Sequence, residues 1–254
     1  MMAKFMEITK GYRRTSSVEF LENYSVTFVR SNNYLALLFA NATNKKVVTL
    51  MPRSMKERVL TYSKEFIKRV RPIFVNDVDR VFVMYHNMVN STRQAKPNEI
   101  SIDVQFMGDV HLANDAMKYI YSPGMMEPIL MKHIGNIVIE GSARVFHGAT
   151  IHRASLGSTV IETGVQIGAY CNVGHNVLIR KNTILTPQVC LGGSSRIGEN
   201  CFLGMGTIVR DNTRICSGVK TGMGSMVVKD ITSPGLYFGS PAERKSDWDG
   251  VWHE

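Results

Sequence analysis

From Ile161 onward an aliphatic residue returns at every sixth position: Ile161, Ile167, Val173, Ile179, Leu185, Leu191, Ile197, Leu203, Val209, Ile215 and Val227, with Thr221 the one departure. Four positions after each of the first eleven, Ile161 to Thr221, stands a small or β-branched residue, from Val165 through Cys171, Val177 and Thr183 to Ser225. Helices bury every third or fourth residue and half-buried strands every second one, so a period of six fits neither. It fits one short strand plus one corner. Three such units close a coil of about 18 residues, and coils stacked at the strand spacing of about 4.8 Å bury one another's aliphatic columns. The pattern predicts a parallel β-helix of hexapeptides. Glycine often follows the aliphatic residue, as at Gly168, Gly174, Gly192, Gly198, Gly204 and Gly222, where a tight corner needs backbone freedom and close approach. The rhythm also runs through Ile139, Val145 and Ile151, then slips by four residues before Ile161, which predicts a bulge or small loop from Ser155 to Thr159. About five coils fit between Ile139 and Asp230.

The first half of the chain has other periods. Ser54-Met55-Lys56-Glu57 reads as a capping box, followed at helical spacing by Val59, Phe66, Ile67 and Val70. Strand-like runs cover 25–30, 46–51 and 73–75, and a second helix is expected over 78–89. These elements predict a small α/β domain over 1–125, punctuated by Ser122-Pro123-Gly124, then the β-helix over 126–245 and a short tail over 246–254 with Trp248 and Trp252.

Composition narrows the function classes. With 44% hydrophobic residues, disorder is excluded. No run reaches the roughly 18 apolar residues of a membrane span, and Met1 to Arg14 carries no apolar segment of a secretory signal. Cys171, Cys190, Cys201 and Cys216 show no CxxC spacing, so a reducing, cytoplasmic location is expected. The net charge of +9 is spread along the chain, which fits phosphorylated ligands or plain solubility, and no nucleic-acid motif accompanies it.

His175 is the prominent candidate for chemistry. It follows Gly174 in a regular coil and precedes Asn176; one coil on, the count of about 18 reaches Gly193. The imidazole is thus expected beside a residue without a side chain, where it could take a proton from an attacking amine or hydroxyl while the Gly193 N–H steadies an oxyanion. A solvated surface histidine is the alternative. His147 and His152, five apart, suggest a metal site, but no third histidine stands at a coil multiple from them, and no metal is expected. Cys171 and Cys201 fall in the inward column and are expected to be buried small apolar groups, while Glu199 and Asp211 are expected to be ordinary corner carboxylates. Arg244 and Lys245, in Gly239–Lys245, could meet a phosphate or form a solvated basic stretch.

Several segments together, namely His133-Ile134-Gly135, Ala149-Thr150-Ile151, Thr159-Val160-Ile161, Gly174-His175-Asn176-Val177, Gly193-Ser194, Thr221-Gly222-Met223-Gly224-Ser225 and Pro234-Gly235-Leu236-Tyr237, resemble the UDP-3-O-acylglucosamine N-acyltransferases of lipid A synthesis. The resemblance covers about residues 133–242 and implies a left-handed coil, so the fold class is mainly β: a left-handed parallel β-helix preceded by a small α/β domain. It further implies a cytoplasmic homotrimer with active sites between adjacent β-helices, His175 as general base with Asn176 beside it, and Gly193 as oxyanion donor. Nucleotide binding falls to Phe28 and Tyr34; Ser31 stands where the family has asparagine, and Asn32 is one place away. The acyl donor, acyl-CoA or acyl carrier protein, is assigned to Gly222, Arg244 and Lys245, with no tightly bound cofactor. Departures are His152 for the family's aspartate, Asn212 for its second histidine, and the expected absence of several coils and of a helical C-terminal extension. They favour a relative that moves a short acyl group from coenzyme A to a nucleotide-linked amino sugar. The rivals are an O-acetyltransferase acting on a sugar hydroxyl and a trimeric scaffold without catalysis.

Overall fold

The computed structural model describes residues 14–15, 25–29, 38, 42, 45–121 and 126–248. The chain divides into two compact units, one of residues 1–94 with 117–132 and the other of 95–116 with 133–254. The fold is mainly β, a small α/β part followed by a left-handed parallel β-helix.

In the first unit, β1 (Arg14–Thr15), β2 (Ser25–Phe28), β3 (Val47–Pro52) and β4 (Pro72–Val75) lie parallel in that order. The helices are α1 (Lys56–Leu60), α2 (Lys64–Val70) and α3 (Val78–Val89). The single helix expected from Ser54 is instead a 3-10 turn, Arg53–Met55, and two short helices. Ser54 lies inside that turn and caps nothing; the cap is Ser63, whose Oγ accepts from Phe66 N–H at 3.2 Å and opens α2. Asp77 opens α3 in the same way, accepting from Arg80 N–H at 2.9 Å. Val78, Val81, Phe82 and Tyr85 form the buried stripe of α3. Side chains also strap 117–132 to that helix. Asn87 donates Nδ2–H to Leu130 O at 2.8 Å and accepts from Lys132 N–H at 2.9 Å, and the Lys132 ammonium reaches the carbonyls of Asn90 and Ser91 at the helix C-terminus at 2.8 and 2.9 Å.

The second unit is the coil. Its three sheets have six, eight and six strands, parallel throughout except for the last strand of the eight. From Val160 to Val227 paired residues differ by 18, as in Val160↔Leu178 and Leu178↔Arg196, and the last rung shortens the step to 16, as in Lys220↔Leu236. The inward column Ile161, Ile167, Val173, Ile179 and Leu191 is completely buried. Each such side chain contributes about 1.5–3 kcal/mol of burial. The slip before Ile161 is a loop over 153–157, which lengthens the step between paired residues to 22, as in Thr150↔Asn172.

The coil begins earlier than residue 126. Strands Glu99–Ile100, Gln105–Met107 and His111–Asn114 pair in parallel with the rung that starts at Asn136, making six turns in all. The step here is 39, as in Gln105↔Arg144, because 117–132 leaves the coil to join the first unit. In place of one boundary at 125, the chain passes between the two units three times, after 94, 116 and 132. At the far end, Glu243–Ser246 is a strand, antiparallel on Gly235–Phe238, that covers part of the open sheet edge and takes in Ser246, the first residue of the expected tail.

The corner glycines show only half of the expected behaviour. A Cβ on Gly168 or Gly198 would sit 2.7 Å from Pro187 N or 2.3 Å from Ser217 N of the next coil, so close approach is what requires them. The left-handed residue comes two places later, at Tyr170, Asn182, Gln188, Asn200 and Gly206 among others.

Burial pushes the thiols of Cys171 and Cys201 from an ordinary value of 9.0 up to about 11. A thiol that holds its proton more tightly when folded contributes full stability below about pH 9 and loses it as pH rises toward 11. The loss amounts to about 3 kcal/mol for each thiol. Valine fills the same inward place at Val165, Val177 and Val189. The variant Cys171→Val/Cys201→Val is therefore expected to unfold at higher pH than the wild type in an alkaline titration followed by circular dichroism, with stability near neutrality little changed.

Candidate active site

Coil geometry leaves the second N–H of each corner outside the sheet ladders. On one edge side chains take it up: Glu140 Oε2 accepts from Thr163 N–H at 3.1 Å, Glu162 Oε2 from Lys181 N–H at 3.1 Å, and Ser217 Oγ from Glu199 N–H at 2.9 Å. On the edge that carries His175 the corresponding amide belongs to Gly193. Among the described residues, Gly193 N–H donates to no group of the chain. A main-chain donor without a partner is a ready acceptor site for developing negative charge.

His175 stands half-buried at the corner after strand Asn172–Val173. A Cβ on Gly193 would lie 2.5 Å from His175 Nε2, 2.7 Å from Cε1 and 2.9 Å from Cδ2. The ring therefore lies against bare main chain, as the count of one coil predicts. Gly174 belongs to the same arrangement, since its own Cβ would come within 2.8 Å of Gly193 N.

The neighbouring Asn176 fixes the ring. Its Oδ1 lies 3.0 Å from His175 Nδ1 and accepts from Ser155 N–H at 3.0 Å and Ser155 Oγ–H at 2.9 Å, while its Nδ2–H donates to Leu156 O. A backbone N–H can only donate and a carbonyl can only accept, so the amide has one orientation. An oxygen faces His175 Nδ1, which must then carry the hydrogen, leaving Nε2 as the ring's acceptor nitrogen. That nitrogen is on the Gly193 side. The buried ring of His133 sets the other side, edge to face with His175 at a centroid distance of 5.6 Å.

His175, Asn176 and Gly193 thus come together as the sequence suggests. Ser155, Leu156 and His133 were not foreseen there; the available signal was the slip itself, one coil before His175. The other expected residues lie elsewhere. Phe28 ends β2, its ring 4.5 Å from that of Phe82 on α3, while Asn32 and Tyr34 fall outside the described residues. Gly222 is required by packing, because a Cβ would lie 2.8 Å from Phe238 Cβ. Arg244 pairs with Asp247, and Lys245 with Glu243 at 3.3 Å, so each cation has its own acid. His147 stands edge-on to Tyr170 at 5.1 Å, and His152 Nε2 lies 3.0 Å from Asn172 Oδ1. Cys171 and Cys201 are buried, their sulfurs 3.2 Å from Thr186 O and Cys216 O respectively.

Stacked six-residue rungs define a hexapeptide-repeat left-handed β-helix, and one of its corners holds a histidine against bare main chain. No protein-family model matches the chain. It is similar to UDP-3-O-acylglucosamine N-acyltransferase of Delftia acidovorans, 30% identical over 122 residues, covering 48% of this chain and 36% of that protein. It is also similar to a probable mitochondrial UDP-3-O-acylglucosamine N-acyltransferase 2 of Arabidopsis thaliana, 36% identical over 113 residues, covering 44% and 37%. The matches therefore span little more than a third of these relatives' lengths. Among solved structures, the Arabidopsis UDP-N-acetylglucosamine acyltransferase superposes with a TM-score of 0.49 at 21% identity, covering 59% of this chain and 51% of that one.

Proposed function

We propose that this protein is an N-acyltransferase that moves an acyl group from a thioester, with acyl-CoA favoured over acyl carrier protein, to the amine of a nucleotide-linked amino sugar. The observation that carries the reading is the His175 imidazole, its Nδ1–H given to Asn176 and its Nε2 set against the bare main chain of Gly193. The printed names of the relatives, N-acyltransferases of a UDP-linked glucosamine, supply the substrate class.

The neutral amine attacks the thioester carbonyl, forming the C–N bond, and its proton passes to His175 Nε2. The carbonyl oxygen becomes an oxyanion facing the Gly193 N–H. As the C–S bond breaks, the imidazolium returns its proton to the departing sulfur, giving an amide and a thiol. The nucleotide is assigned to the first unit, where Phe28 stands at the carboxyl end of a parallel strand, the end at which open parallel sheets bind ligands. A homotrimer belongs to the same reading. Supporting it are exposed apolar residues along one edge of the coil, Tyr170 at 62% exposure, Met205 at 46% and Met223 at 77%, with Pro187 and Gln188 at the corner between the first two.

The test is a mass-spectrometric assay of UDP-, dTDP- and GDP-linked amino sugars with acetyl-CoA and longer acyl donors. Expected is an acylated amine on one nucleotide sugar. Acylation of a hydroxyl alone, or no transfer with any pair, would overturn the reading.

A further inference from the structure

The register slip adds four residues to one coil, and the sequence alone gives them no purpose. Its consequence is local to His175. From Gly164 to Gly224 the left-handed corner residues follow one rule: each N–H donates to the second corner carbonyl of the preceding coil, as in Asn182 to Thr163 O, Ser194 to His175 O and Asn212 to Gly193 O. Asn176 is the exception. The loop over 153–157 has pulled the preceding corner away, and Asn176 N–H donates to Thr159 Oγ1 at 2.9 Å. The displaced loop instead presents a main-chain donor, Ser155 N–H, and a main-chain acceptor, Leu156 O, to the Asn176 side chain.

We propose that the slip loop sets the tautomer of His175. The main chain of Ser155 and Leu156 orients the Asn176 amide, and the amide orients the proton on the ring. Ser155 and Asn176 are positioning residues, since neither needs to touch the reacting atoms. Both main-chain groups hold whatever the pH, because neither titrates. Ser155 Oγ–H adds a third donor to the same oxygen at 2.9 Å, beside Ser155 N–H and His175 Nδ1–H. Three donors on one carbonyl oxygen leave it no reason to turn away, and they hold Nε2 as the proton acceptor before any substrate arrives.

The proposal deepens the acyl-transfer reading and takes its chemical meaning from it, but the tautomer can be measured without substrate. Long-range 1H–15N correlation spectra of the full chain labelled in histidine, recorded where the imidazole is neutral, assign the hydrogen to one ring nitrogen. Expected in the wild type is a single Nδ1–H form of His175. Asn176→Leu should lose that single form. Ser155→Ala should keep the Nδ1–H form, because the backbone N–H remains, while kcat falls about fivefold and KM stays unchanged. An Nε2–H form in the wild type overturns the proposal, even if Asn176→Leu does not fold. So does an unaltered Nδ1–H form in Asn176→Leu. An Nδ1–H wild type that transfers no acyl group would sink the assigned reaction and leave the lock standing.

Discussion

Replacing His175 by alanine is expected to lower kcat for acyl transfer by about 100- to 10,000-fold, the range that a positioned general base supplies. KM should change little, because the ring's contribution falls on the proton in flight and not on holding the ground state. The variant should fold. His175 is half-exposed at a corner, and the hydrogen bonds of Asn176 to Ser155 and Leu156 do not pass through the imidazole. Steady-state kinetics with the best substrate pair, beside circular dichroism of the purified variant, checks both halves. A folded variant with near wild-type kcat would remove His175 from the chemistry.

The second large effect belongs to Gly193. Its φ lies outside the left-handed region, so alanine meets no backbone strain there, and the obstacle is the imidazole 2.5 Å from the added Cβ. Gly193→Ala is expected to push the ring off the main chain and to cost roughly 1–3 kcal/mol of overpacking. Activity should fall by about 100- to 1000-fold as the oxyanion donor and the base lose their common geometry. The double variant His175→Ala/Gly193→Ala separates the causes. With the ring gone the methyl group has room, so thermal melts should show the stability cost of Gly193→Ala in the wild type and almost none in the His175→Ala background. An equal cost in both backgrounds would mean that the glycine answers to the main chain of its neighbours instead.

Much of this arrangement was legible in the sequence because a coil is a ruler. With a fixed period, adding one turn to His175 lands on Gly193, and adding one rung to Ile161 lands on another buried residue. Legibility failed where the ruler is interrupted. Ile100, Phe106 and Leu112 keep the six-residue step, yet the first unit claims 117–132 before the next rung resumes, which hid the first turn of the coil. Ser155 escaped notice for a related reason. Its contact with Asn176 spans 21 residues, a separation set by the slip and not by the period. Ser54 misled in the opposite way: the capping pattern was present, but a 3-10 turn consumed it and Ser63 took the role.

The most direct measurement is a structure of the protein holding both a nucleotide-linked amino sugar and an unreactive acyl-thioester analogue. The account predicts the acceptor nitrogen about 2.6–3.2 Å from His175 Nε2, with the thioester carbonyl oxygen turned toward the Gly193 amide. Reacting groups found at any other corner of the coil, with His175 out of hydrogen-bond reach of the amine, would contradict it.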